Sequence, residues 1–271
     1  MRGRLAAAAL GGLIATAAAA GPRPETGYGL PHDASVDGAR VDWLLYFTLT
    51  AITVIFVVVS AVLLVALVRH RRGHPPSYQP GNKASVLVVV GAVGLVLVAV
   101  DGPLFVHTLL DMRRVFWNFA AAEAAPDVVR IEVEAHQWAW QARYPGPDGK
   151  FGTADDATTL NDIRVPLGRP VVFQLASVDV IHSLYLPNFR VKQDAVPGMV
   201  TRLTFRAKET GQFEIACAQH CGPNHYKMRG LLTVLPEDRF RAWMTETEAD
   251  ARRAHDPDDP EANWGWDWRI E

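Results

Sequence analysis

Residues 44–68 read LLYFTLTAITVIFVVVSAVLLVALV, 25 consecutive positions without a charge. A helix needs about 20 such residues to cross the hydrocarbon core of a bilayer, so this stretch is expected to span a membrane. Trp43 and Tyr46 stand at its N-terminal end, where amphipathic rings favour the headgroup layer. The linker that follows, 69–83, carries Arg69, Arg71, Arg72 and Lys83 and no acid, which assigns it to the cytoplasm by the positive-inside bias. A second apolar run, 84–100, continues past Asp101-Gly102-Pro103 to Leu110. The two runs form a transmembrane hairpin over 42–112 with an outside–in–out topology, and the rest of the chain lies beyond the outer face. Asp101 has two readings. An acid inside a span is a functional candidate, because burying its charge is expensive. The reading preferred from sequence is that Gly102-Pro103 ends the helix and leaves Asp101 in the headgroup layer.

Upstream, 1–20 carry Arg2 and Arg4 followed by an alanine-rich apolar run, with small residues at Ala18 and Ala20. That pattern is a secretory signal cleaved before Gly21, and the Gly- and Pro-containing stretch 21–41 is its exposed leader. The 271 residues hold 27 basic and 29 acidic side chains, for a net charge of −2. Nucleic-acid binding, which calls for a strongly basic footprint, is therefore not expected. Two cysteines are too few for a disulfide-stapled miniprotein or a four-cysteine zinc module. From Asp111 onward there are 24 acidic and 19 basic residues, a modestly acidic exterior that would steer a basic partner.

Beyond residue 126 the pattern changes to short alternating runs. Arg130-Ile131-Glu132-Val133-Glu134 alternates polar with apolar, and so does Thr201-Arg202-Leu203-Thr204-Phe205-Arg206. Val171-Val172-Phe173, 211–217 and 230–235 are further strand candidates, separated by turns such as Pro145-Gly146-Pro147 and Pro197-Gly198. Many short strands between turn signals indicate an all-β sandwich or barrel over 127–236. Residues 237–251 read as a helix, which opens a C-terminal region, 237–271, with an acidic stretch and Trp264, Trp266 and Trp268. Three tryptophans are unusual in a solvated tail, so this end is expected to dock onto something. Asp148 to Asp156 sets three acids around glycine turns, as oxygen-ligand calcium loops do. A polar hairpin inserted after Tyr144 explains it equally well, and calcium is not expected.

The chemistry is concentrated in Cys217-Ala218-Gln219-His220-Cys221-Gly222-Pro223-Asn224-His225-Tyr226-Lys227-Met228. This is C-x3-C-x3-H-x2-M between two strands, and a second imidazole, His182, lies upstream on the loop after Val180. Thiolate and thioether ligands combined with imidazole select copper over hard cations. One blue-copper site needs one cysteine, whereas two thiolates in one loop can bridge two metals. Each copper would then take one histidine: His182 with Met228, and His225 with a backbone carbonyl. A disulfide is the usual fate of a cysteine pair in an exported chain. Set against it are His225 and Met228, at tight spacing in the same loop. Zinc is disfavoured because methionine is a poor zinc ligand. His220, between the cysteines, is expected to point away from the metal.

The hairpin, the β domain and this loop together resemble subunit II of the haem–copper oxidases, over roughly 42–241. His136-Gln137-Trp138-Ala139-Trp140 is similar to that family's HQWxW stretch, and Val191-Lys192-Gln193-Asp194-Ala195-Val196-Pro197-Gly198 to its VKxDAxPG segment. The resemblance implies a membrane-anchored all-β protein: a two-helix hairpin followed by a cupredoxin-like, Greek-key β-barrel. It also implies a dinuclear copper centre, CuA, that takes electrons from a c-type cytochrome and passes them to haem in subunit I, for oxygen reduction. In the same way Trp138 would be where electrons arrive, and Cys217 and Cys221 would bridge both coppers. His182, His225, Met228 and the Gln219 carbonyl would complete the ligand set, on the outer side of a bacterial cytoplasmic membrane.

Three departures from the family stand out. Gln219 takes the place of a glutamate, which leaves the family's magnesium site without its carboxylate. Lys83-Ala84-Ser85-Val86-Leu87 lacks the acid that in many members stands at a proton-channel entrance, and Met199 replaces an arginine. They leave open, as an alternative, the CuA subunit of a nitric oxide reductase of the same superfamily. No C-x2-C-H run marks a fused c-type haem.

Overall fold

The computed structural model describes residues 29–73, 75, 81–256 and 258. The signal segment and the three C-terminal tryptophans lie outside those residues. Two long apolar helical stretches precede a β domain. The first, α1 (Gly38–Arg69), is continuous. The second is assembled from α2 (Lys83–Val96), a π turn at Leu97–Asp101, α3 (Gly102–Asp111) and a second π turn at Met112–Phe116. Asn82 caps α2 by accepting the Ser85 N–H at 2.8 Å, satisfying a donor that the first turn would otherwise leave without a partner.

Here the structure corrects the sequence reading. Gly102-Pro103 does not end the helix. Pro103 falls in the first turn of α3, where its missing N–H is tolerated, and the widened turn before it absorbs the ring. Asp101 therefore stands within a continuous helical stretch and not at its end. The outer end of the hairpin lies further on, where Trp43 packs on His107 with ring centroids 4.8 Å apart and Arg40 pairs with Asp111 at 3.1 Å.

Among the described residues ten strands follow: β1 (Val129–His136), β2 (Ala139–Tyr144), β3 (Ala157–Leu160), β4 (Asp162–Pro166), β5 (Pro170–Ser177), β6 (His182–Leu186), β7 (Val191–Ala195), β8 (Thr201–Arg206), β9 (Gly211–Cys217) and β10 (Arg229–Leu235). They form two five-stranded sheets, β3-β2-β1-β5-β8 and β4-β10-β9-β6-β7. Neighbours pair antiparallel except β1 with β5 and β4 with β10, which run parallel. Alternation decides which side chains enter the space between the sheets. Ile131, Val133, Trp140, Phe173 and Leu175 from the first sheet meet Leu184, Leu186, Ile215 and Leu232 from the second, all fully buried. Phe173, Phe205, Phe189 and Phe213 form a chain of edge-on ring contacts through this core. The helix after β10, α5 (Glu237–Ala254), closes one side by setting Trp243 against Tyr144, ring centroids 5.2 Å apart. The resulting fold is cupredoxin-like.

The sequence leading into α1 is tied to the β domain. Ala34 N–H donates to Asn188 O at 2.8 Å, Val36 N–H to Arg206 O at 3.0 Å, and Lys208 N–H to Ala34 O at 2.9 Å. Arg190 holds both carboxylate oxygens of Asp42, at 2.7 and 3.2 Å. This matters for the site, because the loops at one end of the barrel carry its chemistry.

Candidate metal centre

Three loops converge at that end. Cys217 ends β9 and Cys221 lies in the β9–β10 connection, the β5–β6 connection leads into His182, and the tight β1–β2 turn carries Gln137 and Trp138. Backbone hydrogen bonds fix the first of these: Cys217 N–H donates to Met228 O at 3.2 Å and Ala218 N–H to Ser183 O at 2.9 Å. His182 does not sit in a loop, as the sequence suggested, but is the first residue of β6, paired with Ala195. A strand gives its ring a fixed direction.

The donor atoms are close together. His182 and the two cysteines each place one ligand atom within 4.8 Å of the others. The sulfurs of Cys217 and Cys221 are 3.8 Å apart, and both cysteines are free. A disulfide bond would hold them at about 2.05 Å. His182 Nδ1 lies 3.1 Å from Met228 Sδ and 4.0 Å from Cys217 Sγ. Met228 Sδ is 3.8 Å from Cys221 Sγ. On the other side, His225 Nδ1 lies 3.6 Å from Cys221 Sγ, and the Gln219 carbonyl lies 3.2 Å from Cys217 Sγ. His182, Cys221 and Met228 are buried, whereas the side chains of Gln219 and His220 are exposed. His220 stacks edge-on against His225.

Electrostatics differentiate the two thiols. Burial opposes ionisation of Cys217, but hydrogen bonds from His182 and the Ser183 backbone outweigh it and lower its pKa to about 6. Burial, together with the hydrogen bond and charge of Cys217, pushes Cys221 up to about 12. Two thiolates side by side repel, so one proton stays until a cation replaces it. The donor set of two thiolates, two imidazoles, a thioether and a carbonyl suits copper rather than zinc, calcium or magnesium.

Sequence reading missed Asp179. Its Oδ1 lies 2.8 Å from His182 Nε2, and its Oδ2 accepts the Gln137 N–H at 2.6 Å. Nε2 donating to Asp179 leaves the Nδ1 lone pair facing the sulfurs, the tautomer a metal needs. Burial works against the Asp179 charge, but the bonds from His182 and from the Val180 and Gln137 backbones outweigh it and lower its pKa. The only trace in the sequence is the Asp-x-x-His spacing. Replacing Asp179 by Ala is expected to weaken copper affinity 10- to 100-fold, measured by competition with a chelator, while leaving the fold intact.

The β1–β2 turn closes over the loop. Gln137 Nε2 donates to the Cys221 carbonyl at 2.8 Å and Trp138 Nε1 to the same oxygen at 3.3 Å. Gly222 has φ +120°, and a Cβ there would stand 2.9 Å from Gln137 Nε2. Both its backbone conformation and its neighbour require glycine.

The chain is similar in sequence to known proteins. The family model "Cytochrome C oxidase subunit II, periplasmic domain" matches residues 129–234. The alternative cytochrome c oxidase subunit 2 of Bradyrhizobium diazoefficiens is 32% identical, covering 75% of this chain and 76% of the relative. Cytochrome c oxidase subunit 2 of Alkalihalophilus pseudofirmus is 27% identical over 84% of this chain and 64% of its own length. The corresponding subunit of Cereibacter sphaeroides is 27% identical over 89% of both chains.

Proposed function

Because the chain belongs to the family of cytochrome c oxidase subunit II, we propose that the site just described is the family's dinuclear copper centre, CuA, and that it takes up electrons for a haem–copper terminal oxidase. Cys217 and Cys221 would be shared by both coppers. His182 with Met228 would serve one metal, and His225 with the Gln219 carbonyl the other. When bound, such a pair supplies one-electron chemistry with little rearrangement of its ligands. The barrel contributes rigidity: strand β6 and the backbone bonds of the 217–228 loop hold the donors before any metal arrives. A magnesium site is not part of this proposal.

Other residues fit the same role. Trp138 is half-exposed and its indole N–H reaches the Cys221 carbonyl, so one side chain connects the surface to a ligand's backbone. We assign it the arrival of electrons from a c-type cytochrome. The surplus of acids after Leu110 favours a basic donor by steering. The linker arginines Arg69, Arg71 and Arg72 put the turn between spans on the cytoplasmic side, hence the barrel on the outer side. Haem-bearing subunit I would be the membrane partner.

The observation that carries the reading is the pair of unlinked sulfurs 3.8 Å apart, flanked by two imidazoles and a thioether. Its relatives are oxidase subunits by name, so oxygen rather than nitric oxide is the acceptor we propose. The test is to purify the full complex, count copper in subunit II, and follow oxygen consumption driven by reduced cytochrome c. Two coppers in subunit II with turnover on oxygen are expected; a subunit without copper would overturn the assignment.

A further inference from the structure

Asp101 has no role in the site, and the membrane is an expensive place for a carboxylate. Its depth can be read from its neighbours. The outer end of the hairpin carries the Trp43–His107 stack and the Arg40–Asp111 ion pair, groups that favour the headgroup layer. Asp101 lies six residues inside His107, about 9 Å at the rise of a helix. It also lies 18 residues from Lys83, about 27 Å from the inner end of the span. In a hydrocarbon core about 30 Å thick this places Asp101 in the outer half of the span, below the headgroup layer.

Among the described residues nothing relieves it. Asp101 is exposed, and among the described residues no side chain bonds to its carboxylate. Its surroundings are apolar and equally uncovered: Leu97 is 55% exposed, Val98 75% and Phe105 68%. The helix backbone adds a second demand at the same level. Leu97–Asp101 form a π turn in which the Gly102 N–H reaches back to Leu97 O, and Pro103 has no N–H to give. One carbonyl of that turn thus lacks its helical donor, and in hydrocarbon it must find one elsewhere. A carboxylate and a carbonyl with no donor, at one depth on one open face, call for a cation with several N–H groups.

Resting on the oxidase reading above, we infer that Asp101 is an intramembrane contact for the haem-bearing subunit, received by an arginine or lysine on one of its transmembrane helices. Charge complementarity chooses this occupant over lipid tails, which offer no counter-charge or donor. The contact fixes the height of the hairpin against its partner. It differs from a proton-channel entrance, which would lie at the inner end of the span.

The experiment uses the intact complex. Asp101→Leu, Asp101→Asn and Asp101→Glu are expressed in the full chain and extracted in mild detergent, and the haem subunit recovered with each is compared with wild type. Asp101→Leu is expected to lower recovery at least tenfold, Asp101→Asn to lower it less, and Asp101→Glu to retain most of it. The CuA absorption per chain should be unchanged in all three, because the barrel is untouched. Wild-type recovery with Asp101→Leu overturns the inference, and wild-type recovery with Asp101→Asn overturns the ionic pairing. So does loss of the Asp101→Leu chain from the membrane fraction, since the acid would then be needed by this chain alone. Failure of the oxidase reading would show separately, as absence of haem in the wild-type preparation.

Discussion

Replacing Cys217 by Ser abolishes the purple mixed-valence spectrum of the copper-loaded protein and, with it, cytochrome c oxidation. The expectation rests on geometry. The Cys217 sulfur has His182 Nδ1 4.0 Å away and the Gln219 carbonyl 3.2 Å away, and its partner thiol at 3.8 Å. Hydrogen bonds from His182 and the Ser183 backbone also hold this thiol below its usual range, which favours the thiolate a metal needs. Serine matches its shape but does not ionise and is a hard donor. Cys221 alone could hold a single copper through His225, so metal content should fall by half or more as the two-copper signal vanishes. Electron paramagnetic resonance and copper analysis of the same sample decide the outcome. A variant with the full two-copper signal would remove the bridging role.

The second large effect concerns the barrel's stability. Arg143 donates to Glu132 Oε2 from Nε at 3.0 Å and from Nη2 at 2.7 Å, and its Nε lies 3.6 Å from Asp156. Arg143 is 3% exposed and Glu132 1%, so neither charge has water as an alternative partner. Arg143→Met leaves two buried carboxylates beside an apolar side chain. Breaking such a pair from one side costs about 3–5 kcal/mol. The expected result is a clearly lower thermal midpoint by near-ultraviolet circular dichroism. Arg143→Met combined with Glu132→Leu should recover part of the loss, because the double replacement removes one of the two uncompensated charges. If the single variant unfolds with the wild type, the pair contributes nothing.

Much of this molecule could be read before its structure. The first span was legible because 25 uncharged residues leave no soluble alternative, and strands β1 and β8 because their polar and apolar residues alternate cleanly. The 217–228 loop was legible from residue chemistry, since thiol, imidazole and thioether at short spacing serve few purposes. Other parts left weaker traces. Strands β6 and β7 have five residues each, and β7 reads as a polar segment, so neither shows a period. Asp179 was invisible because a hydrogen bond to a ligand's far nitrogen leaves no pattern in the chain. The helix end expected at Gly102-Pro103 was misread for a specific reason: Gly-Pro ordinarily ends a helix, and a widened turn carried this one through.

The backbone bonds around Ala34 and Val36, with the Arg190–Asp42 fork, have a kinetic consequence. They join the barrel to the top of α1 at several points, leaving no swivel between the two. Tunnelling rates fall exponentially with the gap an electron must cross. A redox group mounted this way meets its membrane acceptor at a preset separation on every turnover, with no search through orientations beforehand.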